Sequence, residues 1–196
     1  MGTTGGLRER KKEATRRALH EAAVRLAVEH GLERVTVEAI ADAAGVSRRT
    51  FSNYFADKED AVLYGDRQRV EMMLVAFTER PAGETTWTAL RRAFHSFYDR
   101  AGEPDPQWAA QMRLARTHPG VLGRQLAHYA VLERRFAEEI RAREGLPAGS
   151  RRPRVLAAAF LNCMRLASQI WAEEQPSGPR RDLVDELLDE MARPFV

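Results

Sequence analysis

The sequence predicts an all-α fold of about nine helices: a small three-helix unit containing a helix-turn-helix, then a larger helical domain. Three observations predict it. Apolar residues recur three and four apart along most of the chain, the period of a helix buried on one side. No segment alternates apolar and polar residues as a half-buried strand does, and no internal repeat or low-complexity run appears. Gly and Pro clusters punctuate the pattern instead, as AGEPDP (101–106), THPG (117–120), GLPAGSRRP (145–153) and QPSGP (175–179).

Residues 1–9 are expected as a flexible arm, followed by a first helix over about 10–30 with Leu19, Ala22, Ala23 and Leu26 on one face. Gly31 stops it, and Leu32 supplies the apolar contact that closes such an end. Thr36 is the N-cap of a second helix that buries Val37, Ile40, Ala41 and Ala44. Gly45 allows the reversal, Val46 plugs the corner, and Ser47 caps a third helix over 48–54. Two short helices around a Gly turn are the helix-turn-helix unit, whose second helix enters the DNA major groove. Phe51 and Phe55 belong to the small core. Asp57 caps a fourth helix over 58–80 with Leu63, Val70, Leu74 and Phe77 inward, ended by Pro81 and Gly83. The boundary between domains is placed between 57 and 58, and further helices are expected at 85–101, 105–117, 119–144, 153–174 and 180–193.

Bulk properties narrow the function classes. A 44% hydrophobic content is enough for a sizeable core. The longest uninterrupted apolar run, Val155 to Leu161, is seven residues against the roughly 20 that span a bilayer, so no membrane partner is expected. The amino terminus has charges with no apolar segment after them, unlike a secretory signal. A single cysteine, Cys163, excludes an intramolecular disulfide and suits the cytoplasm. Five histidines form no HExxH, and no Gly-rich phosphate loop follows a strand, so no catalytic residue, metal or cofactor is assigned. Over residues 1–60, 11 basic side chains meet 10 acidic ones, yet residues 8–17 carry six basic against two acidic, and Arg48-Arg49 make a second basic spot. Clustered charge of this kind is what phosphate contact requires, although a solvated charged end would look the same.

Residues 10–64 resemble the amino-terminal signature of the TetR family of one-component bacterial transcriptional regulators. The matching positions are His30-Gly31, Val35-Thr36-Val37, Ile40-Ala41, Ala44-Gly45-Val46-Ser47, Thr50, Tyr54-Phe55, Lys58 and Leu63. The resemblance implies phosphate contacts from Thr36 and Lys58 at helix amino ends, where the dipole favours anions. It also implies contacts to backbone or base edges from Ser47, Thr50 and Tyr54. Val46 and Asn53 complete the candidate DNA-binding set. Two positions depart from the family pattern: Arg49 stands where a Gly is common, and Ser52 where an aromatic is common. Arg48 and Arg49 are then the candidates for reading sequence, because a guanidinium can bridge O6 and N7 of guanine. The alternative is that one grips a phosphate and the other is solvated.

The rear half loosely resembles a TetR subgroup with an acyl-CoA-like effector domain, at Pro119 with Leu122, Glu133, Arg143 with Gly145, and Trp171. The family resemblance implies an internal cavity for a small apolar or amphipathic effector. Candidate lining is Phe94, Phe97, Trp108, Met112, His128, Tyr129, Phe160, Asn162, Met164 and Trp171. Taken singly, the aromatic and Met residues read as plain core; His128 and Asn162 are polar groups on otherwise apolar helices and need partners. A homodimer is expected through the last two helices, with Val155, Ala159 and Leu166 on one and Leu183, Leu187 and Met191 on the other. Ordinary intrachain core is the alternative.

The resulting expectation is a cytoplasmic, homodimeric repressor that binds a pseudo-palindromic double-stranded DNA operator and is released by its ligand. A helical small-molecule-binding or interaction protein that never touches DNA is the competing reading.

Overall fold

The computed structural model describes residues 3–102, 106–174 and 179–193, and among them lie nine α-helices, one 3-10 turn and no strand. The punctuation expected at 103–105 and 175–178 lies outside the described residues. The chain divides into two compact units: residues up to Gly65 with Leu114–Arg124, and Asp66–Arg113 with the residues from Gln125 onward. The first unit therefore runs past residue 57 and takes in a later segment.

The first unit holds α1 (Thr3–His30), a 3-10 turn (Leu32–Arg34), α2 (Val37–Ala43), α3 (Arg48–Ser52) and the start of α4 (Lys58–Thr78). Helix α1 begins at Thr3 rather than near residue 10, so most of the expected arm is helical. The residues explain this: 7–18 are mostly strong helix formers, and Lys12–Glu9 (3.9 Å) and Arg16–Glu13 (3.8 Å) pair one turn apart. Leu19, Ile40, Phe51, Leu63 and Val121 are at most 1% exposed and form the core. Each contributes on the order of 1.5–3 kcal/mol through burial. Val121 comes from the first turn of α7 (Pro119–Glu144), which explains why 114–124 joins this unit. Asp57 caps α4 as expected, its Oδ1 accepting from Asp60 N (2.9 Å), while Asp60 Oδ2 accepts from Ala56 N (3.2 Å).

The second unit holds the rest of α4 and α7 with α5 (Thr86–Ala101), most of α6 (Pro106–Thr117), α8 (Arg152–Glu174) and α9 (Arg180–Ala192). Phe77, Leu90, Phe94, Leu132, Phe136, Ile140 and Phe160 fill its core, all at most 1% exposed. Arg143 fixes the turn after α4. It donates to the carbonyl oxygens of Arg80 (3.1 Å), Pro81 and Glu84 (3.0 Å), and its guanidinium lies over Phe77 at 5.7 Å.

Helix α8 buries its inward stripe (Ala157, Phe160, Met164, Ala167) and leaves Arg154, Val155, Ala158 and Asn162 exposed on the opposite side. By length and composition it could also cross a membrane, with a mean hydropathy of 1.3, although 44% of that stretch is buried within the protein. Counting uninterrupted apolar runs missed this, because Asn162 and Arg165 break the run without cancelling its mean.

Candidate nucleic-acid interface and ligand pocket

Backbone hydrogen bonds set the corner between α2 and α3. Val46 N donates to Ala41 O (2.9 Å) and Gly45 N to Asp42 O (3.0 Å), with Gly45 at φ 67°. This is the paired Schellman closure, which needs a left-handed residue at the Gly45 position. Ser47 Oγ then accepts from Thr50 N (3.1 Å) and shares a hydrogen with Thr50 Oγ1 (2.9 Å). Thr36 Oγ1 accepts from Ala39 N (3.1 Å), so its own hydrogen remains to donate outward. Helix α3 ends at Ser52, not Tyr54: Asn53 N turns to Thr50 O (3.1 Å) and Tyr54 N to Phe51 O (2.8 Å). The tighter bonds leave Asn53 and Tyr54 in a turn beyond the helix.

The candidate DNA-binding residues fall into three groups. Thr36, Ser47, Arg48, Arg49 and Asn53 are exposed. Thr50 and Tyr54 are half-buried at the edge, and Tyr54 has the Arg16 guanidinium 5.5 Å from its ring. Val46 is half-buried and packs against the core, so it acts as the plug. Phe51 and Phe55 lie inside, rings 5.8 Å apart. The two arginines differ: Arg48 Nε pairs with Glu38 Oε1 at 3.0 Å, whereas Arg49 has no ion pair among the described residues.

Beside α3 runs an open groove of about 390 Å³, lined by Arg8, Lys11, Lys12 and Thr15 of α1 and by Thr50, Asn53 and Tyr54. Three cations and four polar side chains in one groove suit a polyanionic backbone. Charge counting flagged residues 8–17, but only the helical extension of α1 brings them to the candidate residues.

Lys58 is placed differently from expectation. Its ammonium donates to Leu32 O (2.8 Å) and Val35 O (3.0 Å), and reaches Glu33 O at 3.4 Å. With its donors turned toward these carbonyls, the side chain ties the 3-10 turn to α4 instead of facing outward. An ammonium has three hydrogens, and three carbonyl oxygens surround it.

Among the described residues, the ten candidate ligand residues fall into several groups. Phe94, Phe97, Phe160 and Met164 belong to the large core. Trp108, Met112 and Trp171 form a satellite cluster with Ala172, the two indoles 5.7 Å apart. His128 is half-buried. Tyr129 packs on the large core and reaches an open α7–α8 groove of about 400 Å³ shared with Leu126, Asn162 and Arg165. Asn162 is exposed there and accepts from Arg165 Nη2 at 2.8 Å. The helical period explains the split: two residues on a helix, as from Phe160 to Asn162, turn a side chain to the opposite face.

Sequence reasoning missed a buried polar cluster in the second unit. Asp66 and Arg180 are 6% and 7% exposed. Gln125 Nε2 donates to Asp66 Oδ2 (3.3 Å), and Arg180 Nη2 donates to Ser168 Oγ (2.7 Å). The guanidiniums of Arg180 and Arg69 lie 4.8 and 5.4 Å from the Trp108 ring. Burial pushes the Asp66 carboxyl up against the opposing pull of Gln125 and the arginines, and burial likewise raises the Tyr129 hydroxyl. A signal existed: Asp66 sits between Leu63 and Val70 on the buried α4 stripe, and Arg180 precedes Val184 and Leu188 at four-residue steps.

Comparison with known proteins follows the same division. The family model described as bacterial regulatory proteins, tetR family, matches residues 19–63, and that of the MftR C-terminal domain matches 84–196. The HTH-type transcriptional regulator TcmR of Streptomyces glaucescens is 36% identical over 173 residues, covering 85% of this chain and 76% of its own length. A putative TetR-family regulator from Syntrophomonas wolfei superposes with a TM-score of 0.67 at 14% identity, over 91% of this chain and 93% of that one. SmeT, the repressor of the Stenotrophomonas maltophilia multidrug efflux pump SmeDEF, superposes with a TM-score of 0.61 at 20% identity, over 92% of this chain and 89% of its own. The SmeT–triclosan complex gives the same score.

Proposed function

The chain belongs to the TetR family of bacterial regulatory proteins, and from that premise we propose a homodimeric cytoplasmic repressor released from a pseudo-palindromic operator by a small apolar or amphipathic ligand. Membership makes it a DNA-binding transcriptional regulator and not an enzyme. The observation that carries the reading is the exposed Arg48-Arg49 pair on the helix after the Gly45 reversal, with the basic groove of α1 alongside. Arg49 and the outer edge of Arg48 read bases; Thr36, Ser47, Thr50, Asn53 and Tyr54 with Arg8, Lys11 and Lys12 hold the backbone.

The ligand acts in the second unit, and SmeT, a fold relative, has been solved in complex with triclosan. Release is a population shift, so the ligand must favour one arrangement of the two reading heads. The partner copy packs on the outer faces of α8 and α9. Val155 is 64% exposed and Ala159 and Leu166 are half-buried, while Leu183, Leu187 and Met191 are half-buried and also pack against the core of this unit. Anisotropy titration of a labelled duplex from its own upstream region tests the reading. Binding should weaken steeply with salt, and Arg49→Ala should narrow the gap between that duplex and a random one. Equal affinity for both duplexes in the native protein would contradict it.

A further inference from the structure

We propose that Glu38 is a specificity-determining positioning residue, which holds the Arg48 guanidinium with its outer edge turned to a base; this rests on the DNA-reading proposal above. Glu38 is the second residue of α2 and Arg48 the first of α3, so the α2–α3 corner brings them together across ten residues. The contact runs from Arg48 Nε to Glu38 Oε1 at 3.0 Å. A guanidinium carries five N–H donors in a rigid planar fork. The ion pair lies on the Nε side of the fork, away from the two terminal Nη groups, the edge that bridges O6 and N7 of guanine.

Both side chains are well exposed, 72% for Arg48 and 54% for Glu38. An exposed pair contributes little to folding stability in water, so stability does not account for it. Its consequence is to restrict a long side chain that otherwise samples many rotamers, a restriction that favours binding when set in advance. Arg49 has no ion pair among the described residues and offers the contrast. The carboxylate has a second effect. A negative charge beside the reading helix repels every phosphate backbone alike, so it lowers affinity for random DNA while leaving the base contact intact.

The test is selection of duplexes from a randomised library by the full chain, with native protein, Arg48→Ala, Glu38→Asp, Glu38→Gln and the Arg48→Ala/Glu38→Asp double variant. Arg48→Ala should flatten one position per half-site by roughly 5- to 150-fold. Glu38→Asp keeps the charge and the acidic first turn of α2 but withdraws the carboxylate by one methylene. It should flatten that same position several-fold while random-duplex affinity stays unchanged. Glu38→Gln keeps the reach and drops the charge, and should bind random duplex several-fold tighter with the base preference retained. The double variant should be no flatter than Arg48→Ala. An unchanged preference in Glu38→Asp, a loss spread over all positions, or additive flattening in the double variant would overturn the role of Glu38 alone. Failure of the native protein to enrich any sequence would instead overturn the DNA reading beneath it.

Discussion

The His20 imidazole lies against the backbone of Gly65, so close that a Cβ there would sit 2.6 Å from Nε2. The ring cannot easily withdraw, because His20 Nδ1 is 2.8 Å from Ala61 O and the ring stacks edge-on to Tyr64 at 5.9 Å. Gly→Ala inside a helix ordinarily stabilises by about 1 kcal/mol. Forcing a methyl into a filled space costs about 1–3 kcal/mol. Gly65→Ala should therefore be neutral to destabilising in the native protein. In a His20→Ala background the same change should stabilise by about 1 kcal/mol, a reversal that urea unfolding of the four-member cycle would reveal. Equal effects in both backgrounds would refute the packing assignment.

Lys58 should behave as a fold residue. Lys58→Met removes the cation from the carbonyl oxygens of Leu32 and Val35. Losing hydrogen bonds from a charged donor costs about 1–3 kcal/mol. Affinity should then fall alike for all duplexes, and the salt slope should stay unchanged. A slope reduced by about 1 would mean that the ammonium contacts a phosphate instead.

Lys11 and Lys12 should behave in the opposite way. Both line the groove beside Thr50, Asn53 and Tyr54. Each of Lys11→Ala and Lys12→Ala should leave thermal stability and base preference unchanged and lower the salt slope by about 0.9. Titrations between low and physiological salt would measure this, and slopes equal to native would remove α1 from the interface.

Asp66 sets a pH dependence in the second unit. Its carboxyl is raised above the ordinary 3.8, first by burial, with Gln125, Arg180, Arg69 and Arg67 pulling it back. A raised folded value means that the folded state holds the proton longer than the unfolded chain. The stabilisation is complete below about pH 4 and is lost as pH rises through the folded value. Denaturant unfolding across pH should show native protein losing stability relative to Asp66→Asn as pH climbs above about 4. A difference that does not move with pH would contradict the assignment.

Much of this was legible in the sequence because helix ends are written locally. Thr36, Ser47 and Asp57 each accept the expected backbone N–H, and Gly31 and Gly45 hold positive φ, at 79° and 67°. What stayed hidden depended on partners distant along the chain. Lys58 looked like a phosphate ligand until the carbonyls of a turn 23 to 26 residues earlier surrounded it. Asp66 and Arg180 lie on buried stripes, but a pattern built on apolar residues passes over charged ones. Aromatic and Met residues suit a core as well as a cavity, and periodicity cannot separate the two.

Footprinting the full chain on a duplex it enriches tests the central claim most directly. Two protected segments one helical turn apart, about 34–36 Å, are expected, both fading when Arg48 and Arg49 are replaced by Ala. Protection that survives the double replacement, or the absence of any protected segment, would contradict a reading helix at residues 48–52.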